Sequence, residues 1–523
     1  MKNRRYITTP LYYVNARPHL GHAYTTIMAD VLKRHYIQRG ESVVMLTGTD
    51  EHGEKIAQIA AKEGKEPKQL ADEVSADFKD TWEKMNLGFD IFYRTTNPTH
   101  VAAVQVALET MKEKGEIEFR EYEGNYCVGC ERFLTDTEIT PDGNCPDHQK
   151  KPEHRKEGNY FFLMSRYQQK LIDHLESHPE SIRPDQYRGE ILSFLKNEKL
   201  GDLCISRPKT RLTWGIELPF DSKFVTYVWV DALLNYLVAT GWPDKSKFDE
   251  ALWSQATHLI GKDIVKTHSV YWFSILMALG VEPPKSLNVN GYWLIGGTKM
   301  SKSLGNVVRP LEVEATYGRE TLRFYLLREM SYGNDSTFTL ESFVNSVNAH
   351  LANGIGNLCS RVLTLCQKNG VTQIPDGVRL EAADQALLDR RAIALADWNA
   401  AFEELKYQNA VKTWSELVTA CDLYINEQKP WALAKDPALA NRLHTVLTVC
   451  MQVIEALGVL IFPVLPEASL KICHALGLES PELSAITRAE VRKFPAIQEV
   501  PKLFMRVALP VPDAEATTVS NRN

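Results

Sequence analysis

No excess of positive charge marks this sequence, in which 60 Lys+Arg stand against 66 Asp+Glu for a formal net charge of -6. That excludes a histone-like polycation, and any nucleic-acid binding must come from a local basic patch rather than the global field. No apolar run reaches the ~18 residues of a membrane span; the nearest, around Val453–Leu465, is broken by Glu455 and Pro463. A signal core is missing too, because Met1–Arg5 runs straight into a strand-like segment. Cysteines number nine, an odd count, and Cys204, Cys359, Cys366, Cys421, Cys450 and Cys473 fall singly in regular segments. That is the pattern of reduced thiols in a cytosol, not of a disulfide framework. No internal repeat or low-complexity tract occurs. The expectation is a cytoplasmic protein without a membrane segment.

What is there is ordinary globular material, 44% hydrophobic and 24% charged. Its 523 residues suffice for three or four domains at about 150 residues each. The N-terminal third alternates strand and helix: strand-like Arg5–Val14, a helix from His19 to Gln38, a strand over Ser42–Thr47 ending at Gly48, a helix over Glu54–Glu63, a further helical stretch to Met85, a strand over Phe89–Arg94 and a helix over Val101–Lys114. This order predicts an α/β fold with a doubly wound parallel sheet, Rossmann-like. From Glu116 to about Tyr227, short strands and a Cys/His cluster suggest an inserted domain, and the alternation resumes at Tyr227–Leu237, Thr257–Leu279 and Ser286–Leu294. Beyond Thr339 the chain reads as an α-helical bundle, with heptad-like spacing in Leu380–Leu405, Ala410–Ile425 and Leu439–Ile461. Val500–Leu509 reads as a strand packing back. The expected division is 1–115, the first half of the α/β domain; 116–227, the insertion; 228–338, its second half; 339–480, the helical domain; and 481–523, the tail.

Three constellations carry chemistry. His19-Leu20-Gly21-His22 sits where the first strand gives way to the first helix, where backbone N–H groups and the helix dipole favour phosphate. Gly21 lets a ligand approach the backbone. Taken alone the motif reads more readily as a helix cap with partly exposed histidines. Lys299-Met300-Ser301-Lys302-Ser303 follows a strand and a Gly296-Gly297 hinge, and its lysines can follow a polyphosphate as charge develops; alone, it is a solvated basic loop. Cys127-x-x-Cys130 and Cys145-x-x-His148 match tetrahedral structural Zn2+, and no second knuckle pair is present to hold a second ion.

The first two motifs, in this order and roughly 280 residues apart, resemble the HIGH and KMSKS signatures of class I aminoacyl-tRNA synthetases. Pro10-Leu11-Tyr12-Tyr13-Val14-Asn15, Thr47-Gly48-Thr49-Asp50-Glu51-His52-Gly53, Tyr227–Leu233, Gly261–Val265 and His268–Trp272 resemble the methionine-specific members. The resemblance runs from about Tyr6 to Trp431. It implies an enzyme, an ATP-dependent ligase that forms methionyl-adenylate and then charges tRNA(Met), initiator and elongator, with Mg2+ accompanying ATP. It assigns His19, Gly21, His22, Lys299, Ser301 and Lys302 to ATP, with His19, His22, Lys299 and Lys302 catalytic. It assigns Leu11, Tyr13, Asp50, Trp229, Ala232, Leu233, Tyr236, His268 and Trp272 to methionine. The aromatics suit a polarisable thioether, and Asp50 suits an α-ammonium group; from sequence alone, Asp50 reads equally as a helix N-cap and the aromatics as core. The insertion becomes a zinc-binding connective domain and the bundle an anticodon-binding domain, in which Asn357, Arg361 and Trp431 address the anticodon. Without the resemblance these three read as surface polar residues and a core Trp. The tail is too short for the appended tRNA-binding domain of dimeric members, so a monomer is expected.

A nucleotidyltransferase sharing the HIGH chemistry would not need the helical domain. A binding protein that had lost catalysis would show decayed signatures, and both are intact. Leucine, isoleucine and valine enzymes would carry a much larger insertion.

Overall fold

The computed structural model describes residues 4–128, 130, 132–136, 138–299, 307–487 and 491–509, with the side chains of Tyr122, Arg132, Phe133, Lys156, Glu157 and Lys299 left aside. The chain divides into two compact units, Met1–Lys33 with Glu41–Tyr292, and Arg34–Gly40 with Trp293–Asn523.

The first unit is built on a six-stranded sheet, parallel throughout. From Arg4–Tyr13 the sheet grows outward through Ser42–Asp50 to Ile91–Arg94. It then resumes on the other side of the first strand with Ala256–Gly261 and Ser286–Asn290, and the short Ile182–Arg183 closes that edge. Such a sheet is covered on both faces, so its strands are apolar on both sides: Tyr6, Ile7, Met45, Leu46, Leu259, Ile260, Leu287 and Val289 are all buried. The strand order reverses between Arg4–Tyr13 and Ala256–Gly261, the switch point where ligands bind beyond the strand ends.

Helix boundaries follow local chemistry. Pro98–Glu113 starts with Pro at its first position, its Asn97 cap accepting the Thr99 N–H at 3.0 Å. Ser42–Asp50 continues three residues past the expected end at Thr47. Gly48 does not terminate it; a Cβ there would lie 1.9 Å from the Tyr93 carbonyl oxygen, so glycine is what lets Ile91–Arg94 pack alongside. The insertion contributes an antiparallel four-stranded sheet ordered Arg132–Leu134, Ile117–Cys127, Glu153–Phe162, Leu203–Cys204, and a three-stranded one from Glu217–Leu218, Asp221–Thr226 and Ser206–Pro208.

The second unit is mostly helical. Ala382–Glu403, Tyr407–Gln428 and Ala440–Ile461 match the three heptad-like stretches. The last belongs to the one helix among the described residues long and apolar enough to cross a membrane, Pro437–Ile461, but 94% of its apolar window is buried inside the protein. It is the core helix of the bundle, packed against the other two.

Two expectations are corrected here. Gly296 and Gly297, both with positive φ, form a two-residue hairpin turn between Trp293–Ile295 and Thr298–Lys299 rather than a hinge. Val500–Leu509 packs back but forms no strand. The Asn348 side-chain amide takes both the N–H and the C=O of Val507, at 2.9 and 2.8 Å, in place of a ladder partner, and Pro501 has no N–H to donate to one.

Candidate active site

Tyr13 and Asp50 lie opposite each other at the C-terminal ends of the neighbouring strands Arg4–Tyr13 and Ser42–Asp50. The first strand carries one extra residue, Thr8 facing Leu46 but Leu11 facing Gly48. Pro10 falls in this bulge, where the lost N–H removes no ladder bond. The bulge re-aims Leu11 and Tyr13, and Tyr13 meets Trp229 edge to face with ring centroids 6.1 Å apart. Trp229, Ala232, Leu233 and Tyr236 share the helix Val228–Val238, a segment buried nearly all round.

The tautomers of two buried histidines follow from their partners. His268 Nδ1 is 2.9 Å from the Ile264 carbonyl, which only accepts, so Nδ1 carries the proton and Nε2 accepts from the Tyr236 hydroxyl at 2.9 Å. Trp272 Nε1–H donates to His258 Nε2 at 3.4 Å, so His258 keeps its proton on Nδ1, 2.7 Å from Thr8 Oγ1. Burial lowers the His268 pKa to about 4 and that of His258 well below the ordinary imidazole value, so both rings are neutral at pH 7. Tyr236 stacks on His258 at 4.3 Å and lies 6.2 Å from Trp272. His268 and Trp272 fall one turn apart on a π-helical segment, Thr267–Trp272, a geometry frequent at functional sites.

Asp50 is 1% exposed. It is not a helix cap: Glu54–Lys62 is capped by Gly53. Burial raises the Tyr236 pKa first, and the Asp50 charge adds to it, which puts carboxylate and phenol within electrostatic reach. The arrangement is a neutral, aromatic-walled site with one acidic group at its edge.

One turn of chain away, the His19 and His22 rings stack at 3.6 Å. The Gly21 N–H donates to His19 Nδ1 at 3.0 Å and the His19 N–H to His22 Nδ1 at 3.4 Å. Both rings therefore carry their proton on Nε2, and they cap the helix Leu20–Gln38 as they do so. Tyr12 holds this turn through the His22 carbonyl at 3.2 Å and Thr26 at 2.8 Å. Lys299 ends the short strand Thr298–Lys299 of the second unit. Met300, Ser301, Lys302 and Ser303 lie outside the described residues.

In the insertion, the donor atoms of Cys127, Cys130, Cys145 and His148 lie within 4.8 Å of one another. Cys130 Sγ is 3.4 Å from Cys145 Sγ and 3.3 Å from His148 Nδ1, while Cys127 Sγ and Cys145 Sγ stand 3.9 and 3.8 Å from that nitrogen. A tetrahedron with metal–sulfur bonds of about 2.3 Å has edges of about 3.8 Å, so the group could hold a metal ion with four protein ligands. In the helical unit, Arg361 lies on the face of Trp431, 5.4 Å from the ring centroid, and donates to Asn426 at 2.9 Å. Trp431 is 41% exposed, which removes the reading of it as core. Asn357, exposed, sits one turn before Arg361 on Asn357–Asn369.

Sequence reasoning passed over Asp231, His52 and His100. The Asp231 carboxylate is buried between His52 Nδ1 and His100 Nε2, each 2.7 Å away. The available signal was the one charged residue in a helix that is otherwise uncharged and largely apolar.

Comparison with known proteins finds similarity along most of the chain. The family model for class I tRNA synthetases (M) matches residues 5–151 and 142–363, and that for the anticodon binding domain of methionyl tRNA ligase matches 374–508. The chain is 42% identical to the methionine–tRNA ligase of Clostridium perfringens over 90% of this chain and 73% of that one. It is 40% identical to that of Streptomyces coelicolor over 93% and 92%. Among solved structures, the methionyl-tRNA synthetase of Mycobacterium tuberculosis in complex with methionyl-adenylate superposes with a TM-score of 0.92 at 36% identity, covering 97% of this chain and 100% of that one. The apo form of the same enzyme gives 0.85 at 32% identity, over 98% and 99%. With family models spanning both units and such relatives along nearly its whole length, the chain belongs to the methionyl-tRNA synthetases of class I.

Proposed function

We infer that the chain is a methionine–tRNA ligase whose amino-acid site is the aromatic cluster at the strand ends and whose nucleotide site is the His19–His22 turn. In the first step a methionine carboxylate oxygen attacks the α-phosphorus of ATP. The bond to the bridging oxygen breaks, and pyrophosphate leaves methionyl-adenylate. In the second step a ribose hydroxyl of the 3′-terminal adenosine of tRNA(Met) attacks the activated carbonyl, and AMP departs.

No residue need become covalently attached; positioning and charge stabilisation supply the rate. The His19 and His22 Nε2–H groups would donate to phosphate oxygens, with Gly21 leaving room for the nucleotide beside them. Lys299 and Lys302, with Ser301, would stabilise the negative charge that grows on the polyphosphate as pyrophosphate separates. Mg2+ would enter with ATP. Methionine's thioether would lie among Leu11, Tyr13, Trp229, Ala232, Leu233, Tyr236, His268 and Trp272. Because Tyr236 satisfies His268 while Trp272 and Thr8 satisfy His258, these groups offer an apolar, polarisable side chain no unpaired charge to meet. Asp50 would take the α-ammonium group. Zn2+ would be held by Cys127, Cys130, Cys145 and His148, with no open position, as a support for the insertion rather than a participant. Arg361, Asn357 and the exposed Trp431 would read splayed anticodon bases by hydrogen bonding and stacking.

The observation that carries the reading is the pair of His19 and His22 rings, both protonated on Nε2, one loop from an aromatic cluster whose two histidines are hydrogen-bonded and neutral. The test is Lys302→Ala in methionine-dependent ATP–pyrophosphate exchange. A loss of at least about 100-fold in kcat with methionine affinity retained is expected of a group acting in the transition state; unchanged exchange removes Lys302 from the machinery.

A further inference from the structure

The cluster around Asp231 takes no part in the chemistry above, yet its geometry is specific. Asp231 is the one charged residue of Val228–Val238 and is fully buried. Its carboxylate oxygens each accept one imidazole N–H, Oδ2 from His52 Nδ1 and Oδ1 from His100 Nε2, both at 2.7 Å. The Asp231 carboxylate only accepts, so His100 carries its proton on Nε2, and its Nδ1, 3.2 Å from the Tyr93 hydroxyl, accepts from it. Burial works to raise the Asp231 carboxyl, but the two imidazoles outweigh it and hold the pKa below the usual carboxylate value. Burial likewise works against charge on His52, and the attraction of Asp231 outweighs it.

The segment carrying His52 is fixed on its other sides as well. Trp214 Nε1 donates to the Glu51 carbonyl at 2.5 Å, and Arg94 holds the Glu51 carboxylate at 2.6 and 2.9 Å. His52 is thus the arm that a rigid strand end extends to the helix. His52 lies two residues after Asp50. Asp231 lies two residues after Trp229 and immediately before Ala232 and Leu233. A leucine at 231 would pack the helix without burying a charge, so stability alone gives no reason for a carboxylate. What two directed hydrogen bonds add is register: they fix how far the helix slides and turns against the strand.

We propose that His52, Asp231 and His100 form a positioning clamp for the amino-acid site, setting Trp229 and its helix neighbours at a fixed distance from the Asp50 carboxylate. This rests on the assignment of that aromatic cluster to methionine. The clamp residues touch no substrate. They act by holding the wall that binds the side chain against the carboxylate that binds the ammonium group. Its loss should therefore weaken methionine recognition selectively, leaving ATP recognition, which belongs to the His19–His22 turn, nearly as it is.

The experiment is steady-state ATP–pyrophosphate exchange, with separate KM values for methionine and ATP, on five variants. Asp231→Asn keeps the shape but turns an amide N–H toward an imidazole N–H. His52→Leu removes one arm. His52→Asn returns a donor near the position of Nδ1. Trp229→Ala and Asp50→Asn test the amino-acid site itself. The clamp predicts a methionine KM raised at least about tenfold in Asp231→Asn and His52→Leu, an ATP KM within about twofold, and recovery to within about threefold in His52→Asn. If Asp231→Asn and His52→Leu lower the melting temperature but leave the methionine KM unchanged, the cluster is merely structural and the proposal is wrong. Failure of His52→Asn to improve on His52→Leu also overturns it. If His52→Leu does not fold, Asp231→Asn, which is isosteric, still decides. If Trp229→Ala and Asp50→Asn leave the methionine KM untouched, the assignment of the amino-acid site has failed instead, and the two failures are told apart.

Discussion

His35 offers a test of the packing of the second unit in which sign and size both follow from the structure. Its ring is fully buried and stacks on Phe402 with centroids 4.1 Å apart. Neither ring nitrogen has a hydrogen-bond partner among the described residues. Burial, helped by the nearby Arg39 charge, lowers its pKa from 6.5 to about 3. The folded state therefore refuses a proton that the unfolded chain accepts. The stabilisation is fully present above pH 6.5 and is lost progressively as pH falls from 6.5 toward 3. At pH 5 the unfolded chain gains about 2 kcal/mol by protonating this one group, against almost nothing at pH 7.5. His35→Phe keeps an aromatic ring against Phe402 and removes the titration. The stability of the variant relative to the parent, from urea unfolding of the full chain, should rise by about 2 kcal/mol between pH 7.5 and pH 5. Other lowered groups, such as His174 and His268 at about 4, titrate equally in both proteins and cancel in the comparison. A relative stability that stays flat over this range would show that His35 takes up its proton in the folded state, and the burial argument would fail.

On the proposed anticodon role of the exposed Trp431, Trp431→Ala should lower kcat/KM for tRNA charging about five- to 150-fold, as expected when a stacking worth about 1–3 kcal/mol is lost, with methionine-dependent exchange unchanged. Equal damage to both steps would make Trp431 a fold residue. The cysteine cluster predicts one zinc per chain by native mass spectrometry. Chelation should lower the melting temperature and open Cys127, Cys130 and Cys145 to alkylation, while the buried Cys359, Cys366, Cys421, Cys450 and Cys473 stay unlabelled. Free alkylation of the first three in the untreated protein would remove the metal.

Features set by neighbours in sequence were legible before the structure. The strand–helix alternation of the first hundred residues, the heptad-like helices and the cysteine spacing each come from periods of two to four residues, and each has its counterpart in the fold. Features set by partners far along the chain were not. Gly48 looked like a strand end because the backbone of Tyr93, which fills its missing Cβ, arrives from another strand. The bulge at Pro10 leaves no mark except a proline in an apolar run. Asp231 meets partners 179 and 131 residues away, so nothing local announces them. Gly296-Gly297 in the sequence suggests freedom of motion, whereas two adjacent positive φ values make a tight turn. The tautomers of His258 and His268 depend on a tryptophan N–H and a carbonyl that only the fold brings to them.

The central claim is that this chain activates methionine, and amino-acid-dependent ATP–pyrophosphate exchange across all twenty amino acids tests it most directly. Rapid exchange with methionine and little with leucine, isoleucine or valine is the predicted result. Exchange driven better by any other amino acid, or by none, would contradict the account.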